Sequence, residues 1–159
     1  MAETVKPIPE GHHTVTPYLI IKGAAEAIEF YKRAFDAKEA MRMAQPDGRV
    51  GHAELAIGDS RIMLADEFPE MGARSPRTLG GSPVSLHLYV EDVDALAARA
   101  TAAGIKVLRP VQDQFYGDRT GSFEDPYGHL WHIATHKEDV PMEELRRRAM
   151  EAMKKHAKE

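Results

Sequence analysis

One short segment of the chain carries two side chains that could transfer protons. In V-G-H-A-E-L-A-I (residues 50–57), an extended backbone would place His52 and Glu54 on one face and Ala53 and Leu55 on the other. An imidazole beside a carboxylate is a common acid–base pair, so we predict His52 and Glu54 as candidate catalytic residues. An enclosed carboxylate at this position would need a partner, and His52 or Arg61 could supply it.

A segment in the second half of the chain presents a similar polar face. The run S-L-H-L-Y-V (residues 85–90) alternates, so that Ser85, His87 and Tyr89 share one face. If these polar faces point into the interior of the fold, the imidazoles of His52 and His87 and the carboxylate of Glu54 could bind a divalent ion or exchange protons. A half-solvated antiparallel sheet also shows such alternation, and the histidines would then only form hydrogen bonds. The sequence leaves both interpretations open.

The segment D-P-Y-G-H-L-W-H-I-A-T-H (residues 125–136) contains three histidines, for which we predict different environments. Its proline and glycine indicate a tight turn that leads into a strand. Alternation along that strand directs His132 inward and Trp131 toward the helices, as a core residue. His129 is predicted to be exposed in the turn, and His136 to lie where the strand ends.

These segments belong to a pattern of elements that occurs twice. Each half reads as strand, helix and three strands, and a constant offset of 69 residues places Leu19 on Leu88 and Gly48 on Gly117. Asp92 and Gly104 are the predicted cap and stop of the second helix. The predicted strands are 13–21, 38–44, 50–57, 61–65, 85–90, 105–108, 120–124 and 129–135, with one helix opening at Gly23 and another following Asp92.

The chain is therefore predicted to comprise two modules and three further segments. The further segments are an N-terminal arm (1–13), a linker or lid rich in proline and glycine (66–83) and a C-terminal helix (137–159) in which Pro141 takes the first helical position. The modules cover residues 14–65 and 84–136.

Composition excludes several classes of function. The 159 residues carry a net charge of -4, which provides no basic field for nucleic acid, and the absence of cysteine excludes disulfides and thiolate chemistry. There is no apolar run that could form a signal peptide or a membrane span. We therefore expect a cytoplasmic protein with no nucleic-acid or membrane partner.

Several motifs, in order, resemble those of the vicinal oxygen chelate superfamily in its PhnB-like branch. They are P-Y-L-I-I-K-G-A-A-E-A-I-E-F-Y-K-R-A-F, G-H-A-E-L-A-I-G-D, L-Y-V-E-D-V-D, and F-Y-G-D-R followed by D-P-Y-G-H-L-W. This superfamily includes glyoxalase I, bleomycin-binding proteins and extradiol dioxygenases. The resemblance implies an α+β fold of two paired βαβββ modules, a U-shaped half-barrel cavity that holds the ligand, and a homodimer.

The resemblance also predicts where a metal ion would be bound. The ligand positions of metal-using members fall on Thr16, Met63, Ser85 and His132, of which only the histidine is a good ligand. We therefore expect the usual four metal ligands to be absent and no cofactor to be needed. The alternative is a divalent metal held by His52, Glu54, His87 and His132.

The turn F-Y-G-D-R (residues 115–119) could close over a ligand through Tyr116 and Arg119, or could simply be a structural corner. From these observations we predict a protein that binds a small organic molecule. The alternative is a metal-dependent or acid–base lyase, isomerase or dioxygenase, and the sequence does not decide whether the protein is an enzyme. The predicted ligand-binding residues are Thr16, Met63, Ser85, His87, Tyr89, Tyr116, Arg119 and His132.

Overall fold

A computed structural model describes residues 4–157 of the chain as two compact units. The first unit comprises the chain up to Pro83 together with residues 126–129, and the second comprises residues 84–125 and the chain from Leu130 onward. Each unit is a four-stranded sheet with one main helix, so the protein has the predicted α+β fold of two repeated βαβββ modules. Among the described residues, no helix is long and apolar enough to cross a lipid bilayer.

The first unit has the strand order β1-β4-β3-β2, in which β1 and β4 run parallel and the other neighbours are antiparallel. The connection through α1 leads from β1 at one edge of the sheet to β2 at the opposite edge, and the antiparallel strands β2, β3 and β4 then bring the chain back beside β1. A parallel pair needs such a long crossover connection. The elements are β1 (Tyr18–Ile21), α1 (Ala24–Phe35), β2 (Lys38–Ala44), β3 (Val50–Ile57) and β4 (Ser60–Asp66), followed by a single 3₁₀ turn (Pro69–Met71) and the short helix α2 (Pro76–Leu79).

The core of the first unit forms where α1 covers the apolar face of the sheet. The spacing of apolar residues after Gly23 predicts one helix stripe, and all of its residues are buried: Ala27, Ile28, Tyr31, Ala34 and Phe35. The carboxylate of Asp66 fixes the beginning of the helix, because its Oδ1 accepts hydrogen bonds from the backbone N–H groups of Gly23 (3.1 Å) and Ala24 (3.0 Å). Its Oδ2 accepts a third, from the N–H of Val50 at 2.7 Å. One buried side chain thus joins α1, β3 and β4.

The second unit repeats this order as β5-β8-β7-β6, again with one parallel pair, β5 and β8. Asp92 caps α3 by accepting a hydrogen bond from the N–H of Ala95, and Gly104 ends it, as predicted. Trp131 is fully buried, and its indole N–H donates to Asp125 at 2.9 Å. The elements are β5 (Ser85–Tyr89), α3 (Val93–Ala103), β6 (Lys106–Asp113), β7 (Asp118–Glu124), β8 (Leu130–His136) and α4 (Met142–His156).

The internal repeat holds in topology but shifts by one residue within the sheets. Met63 pairs with Glu54, whereas its counterpart His132 pairs with Ser122, so β7 is offset from β3 by 68 residues rather than 69. The cause is the length of the turn, since Ile57 pairs directly with Ser60, but a longer loop, 125–129, separates β7 from β8.

Three predicted boundaries are wrong. The first strand begins at Tyr18 and not at residue 13, since Pro17 has no N–H to donate to a strand ladder. The strand predicted for 105–108 extends from Lys106 to Asp113, with register shifts that disrupt its alternation. Pro141 is the residue before α4 and not its first helical position.

Candidate functional site

Five polar side chains meet on the exposed face of the first sheet, and we refer to His12, Tyr18, His52, Glu54 and Arg61 as the Glu54 cluster. The Tyr18 hydroxyl lies 2.7 Å from His52 Nδ1, and His52 Nε2 lies 3.4 Å from Glu54 Oε1. The other carboxylate oxygen of Glu54 lies 3.1 Å from His12 Nε2 and 3.9 Å from an Arg61 nitrogen. Tyr18, His52 and Glu54 thus form a chain of groups that can exchange protons, and His12 and Arg61 flank the carboxylate.

Strand alternation and the N-terminal arm assemble the Glu54 cluster. His52 and Glu54 lie on the less buried face of β3, while Ala53 and Leu55 are fully buried under α1. The arm contributes His12 through a turn in which the His12 N–H donates to the carbonyl of Pro9 at 3.1 Å.

Within that turn Gly11 has a φ of +81°, and a Cβ there would lie 3.0 Å from the Arg61 guanidinium. A glycine therefore allows the arm to lie flat against the cluster.

Burial and charge control the protonation of the Tyr18 phenol. The pKa of Tyr18 is raised by burial and, to a smaller extent, by the negative charge of Glu54. The phenol is therefore protonated at neutral pH, and its hydroxyl is hydrogen-bonded to His52. His12 Nε2 is buried and makes no aligned hydrogen bond despite its proximity to Glu54.

The second unit contains a cavity of about 720 Å³, which we call the second-module cavity. Its walls come from β5, β6, β7 and β8, the turn before β7, and the last turn of α4. The lining residues are His87, Arg109, Pro110, Gln112, Gln114, Tyr116, Thr120, Gly121, Ser122, His132 and His156.

Two histidines lie side by side in this cavity because β5 and β8 are paired. His87 and His132 are register partners, and their ring centroids are 6.0 Å apart. Partial burial lowers the pKa of His87, and the neighbouring His132 lowers it further, against an opposing effect of Asp118. The hydroxyl of Ser122, opposite His132 on β7, lies 2.9 Å from its Nδ1. One imidazole is thus held in a fixed orientation, and the other favours its neutral form.

The lining is polar and contains no carboxylate. Arg109, an exposed residue of β6, forms no ion pair or hydrogen bond with the described residues. Gln112 and Gln114 bring amide groups to the same wall. An unpaired guanidinium among neutral hydrogen-bonding groups favours an anionic ligand.

A separate hydrogen-bonded chain stands at the ends of β7 and β8. Asp118 accepts a hydrogen bond from the Tyr89 hydroxyl at 3.0 Å and also lies 2.7 Å from His136, whose other nitrogen lies 2.8 Å from Asp139. The bond to Asp118 raises the pKa of Tyr89, and the bonds to Asp118 and Asp139 raise the pKa of His136. This chain connects β7 to the segment that leads into α4.

The family model of the glyoxalase/bleomycin resistance protein/dioxygenase superfamily matches residues 11–133. The chain belongs to this superfamily. The motif-based prediction of a vicinal oxygen chelate protein is therefore confirmed, together with the fold that it implied.

Similar proteins agree with this assignment. An uncharacterized protein of Mycobacterium bovis is 45% identical over 134 residues, covering 82% of this chain and 88% of that protein. The crystal structure of TioX from Micromonospora sp. ML1 has a TM-score of 0.61 and 27% identity, covering 82% of this chain and 99% of that one. A PhnB protein from Bacillus cereus shares the fold, with a TM-score of 0.60 at 21% identity over 77% of this chain and 99% of that one.

The positions predicted to correspond to superfamily metal ligands are Thr16, Met63, Ser85 and His132. Thr16 lies before β1, Met63 is paired with Tyr18, and Ser85 is paired with Leu130. A thioether and two hydroxyls are poor ligands for the divalent metals that the superfamily uses. Across residues 4–157, no group of three or more His, Asp or Glu side chains is arranged to hold a metal ion.

The other predicted site residues are divided between the two units. His87, Tyr116 and His132 line the second-module cavity, and burial raises the pKa of the Tyr116 phenol. His52 and Glu54 belong to the Glu54 cluster in the first unit.

The remaining predicted residues do not line that cavity. Arg119 forms ion pairs with Asp94 (2.8 Å) and Asp113 (3.2 Å), which hold its guanidinium across the end of β7. His129 is buried and not exposed as predicted, because its Nε2 bonds to the carbonyl of Ile20 at 3.0 Å.

Several residues of both sites were not anticipated. The 69-residue offset places Tyr18 on His87, and that correspondence could have indicated Tyr18 as a cavity-type position. The same offset places Ser122 on Ala53 of the buried face, because the longer loop 125–129 shifts β7 by one residue, so the sequence did not indicate Ser122. No local pattern indicated His12 or His156, because distant parts of the chain bring them to their sites. The unanticipated residues are His12, Tyr18, Arg109, Gln112, Gln114, Thr120, Ser122 and His156.

Proposed function

We propose that the protein binds a small polar molecule with a carboxylate or phosphate group in the second-module cavity, without a metal ion. The observation that carries this proposal is the unpaired guanidinium of Arg109 in a cavity lined by no carboxylate. The volume, about 720 Å³, lies within the range of small-molecule sites. A cytoplasmic location and a homodimer stay predictions from the sequence.

The lining suggests how such a ligand would be oriented. An anionic group would face Arg109, whose fork of N–H donors matches two oxygen atoms. The rest of the molecule would lie against His87 and His132, whose imidazoles can form hydrogen bonds with it. Tyr116 would cover one side with its ring, and its phenol would remain protonated because its pKa is raised.

Two pairs of matched probes test the proposal: phenyl phosphate against phenol, and benzoate against benzamide. Binding is followed by NMR chemical-shift changes in the ¹⁵N-labelled protein. We expect the anions to bind at least about tenfold more tightly than the neutral probes, since one charged hydrogen-bonded pair contributes about 1.5–3 kcal/mol. The shifted resonances should be those of Arg109, Gln112 and His132.

Two variants provide the decisive comparison. Arg109→Gln should remove the preference for anions, whereas Arg146→Gln, on exposed α4, should leave it unchanged. Equal binding of charged and neutral probes by the wild-type protein, or an undiminished preference in Arg109→Gln, would contradict the proposal.

A further inference from the structure

The Glu54 cluster, in the first unit, contains a second set of side chains that could carry out a reaction. A hydroxyl, an imidazole and a carboxylate follow one another in the order Tyr18, His52, Glu54. A weak nucleophile becomes reactive when a base lies within hydrogen-bond reach and a third group orients that base. We propose that Tyr18 is a nucleophile for acyl groups, with His52 as its general base and Glu54 as the residue that positions His52.

The distances allow the hydrogen-bond directions that these roles require. In the His52 tautomer that carries its proton on Nε2, the Nδ1 atom accepts the hydrogen bond of the Tyr18 phenol at 2.7 Å. The proton on Nε2 then points to Glu54 Oε1, 3.4 Å away. When His52 takes the phenol proton, the carboxylate stabilises the resulting imidazolium.

The surroundings of Glu54 hold it in place for this task. The side chain is only 14% exposed, and its Oε2 is flanked by His12 at 3.1 Å and Arg61 at 3.9 Å. The N-terminal arm covers this side, whereas Tyr18 is 47% exposed. An acyl donor therefore has access to the nucleophile but not to the residue that orients the base.

An activated ester would react with Tyr18 in two steps, acylation of the phenol and hydrolysis of the acyl-tyrosine. Tyr18 Oη attacks the ester carbonyl carbon and its proton passes to His52 Nδ1. The bond between that carbon and the leaving oxygen breaks, and the leaving group departs as an anion. His52 then releases this proton to the solvent. Neutral His52 next takes a proton from a water molecule whose oxygen attacks the acyl carbon, the bond between that carbon and Tyr18 Oη breaks, and the phenolate recovers a proton from His52 as the carboxylic acid leaves.

Tyr89 is a useful internal comparison. It is more exposed than Tyr18, at 66%, but its hydroxyl donates to the carboxylate of Asp118 and not to an imidazole. If exposure alone decided reactivity, Tyr89 would be acylated first. If hydrogen bonding to an imidazole determines reactivity, Tyr18 will be acylated first.

The test uses p-nitrophenyl acetate and the full chain. We expect a burst of one p-nitrophenolate per chain and, by mass spectrometry of proteolytic peptides, one acetyl group on Tyr18. Tyr18→Phe should abolish the burst, and His52→Gln should slow it by about 100-fold or more, the usual contribution of a general base. His13→Gln, a neighbouring exposed histidine, should behave as the wild type.

Glu54→Gln separates positioning from a purely structural effect. It should slow the burst without preventing it, and NMR should show His52 distributed over both tautomers. The wild-type burst rate should fall in acid, and His52→Gln should lose that dependence. No burst in the wild-type protein, acetylation of other residues only, or an equal burst in Tyr18→Phe would overturn the proposal.

Discussion

We predict that Asp66→Asn destabilises the first unit, because the Asp66 carboxylate connects three of its elements. The carboxylate is 8% exposed and accepts three backbone hydrogen bonds, from Gly23, Ala24 and Val50. Asparagine has nearly the same shape but only one accepting atom. Its oxygen can still serve the beginning of α1, and its NH₂ group must then face the N–H of Val50.

The structure sets the magnitude of the effect. Two charged hydrogen bonds become neutral, which costs about 1 kcal/mol each. The N–H of Val50 loses its acceptor, and an unsatisfied buried donor costs about 1–3 kcal/mol. We therefore expect the free energy of unfolding to fall by about 3–5 kcal/mol, and the melting temperature by about 6–20 °C for a chain of this size.

The assay is urea unfolding followed by circular dichroism, with Asp59→Asn as the matched control. Asp59 is exposed in the turn between β3 and β4, so its substitution should change stability by less than about 0.5 kcal/mol. Trp131 fluorescence, which reports on the second unit, provides a separate probe. If Asp66→Asn destabilises the protein no more than Asp59→Asn does, the carboxylate does not anchor α1, β3 and β4 as argued.

Two further predictions concern a turn and an acid-sensitive contact. Gly117→Ala should lower the free energy of unfolding by about 3 kcal/mol or more, because φ is +99° and a Cβ would overlap the Glu138 carbonyl. Gly48 has a φ of +87° but open space around it. Gly48→Ala should therefore cost only the backbone strain of about 1–2 kcal/mol. Equal losses in the two variants, measured by urea unfolding, would refute the packing argument. Hydrogen bonds from Ser75 and Thr78 lower the pKa of Glu67 from 4.5 to about 2, so its stabilising contribution is present above pH 4.5 and is lost as the pH falls toward 2. Glu67→Gln should be less stable than wild type at pH 7, and the difference should disappear near pH 2.

The parts of the fold that follow from local pattern were predictable. Alternation identified β3 and the strand face that His52 and Glu54 share, and the helical periodicity of residues 24–35 identified the face of α1 that is buried. Asp92 and Gly104 were recognisable because capping depends on a few neighbouring residues. These features need no knowledge of distant partners.

The parts that depend on register and irregularity were not predictable. The register shifts in β6 break its alternation, so nothing in the sequence showed that Arg109 and Gln112 would line a cavity. The family pattern placed a first-strand position at Thr16, whereas the register partner of Met63 is Tyr18. Arg119 could equally have faced a ligand, and only the three-dimensional arrangement brings Asp94 within reach.

The turn at residues 126–129 has a consequence for the order of events on the ribosome. These four residues lie late in the chain but belong to the first unit, where Gly128 packs on Pro76 and His129 bonds to Ile20. The nascent first unit must therefore wait for more than forty further residues before its last contacts can form. A gene fragment that stops at Pro83 would therefore encode a first unit without the residues 126–129.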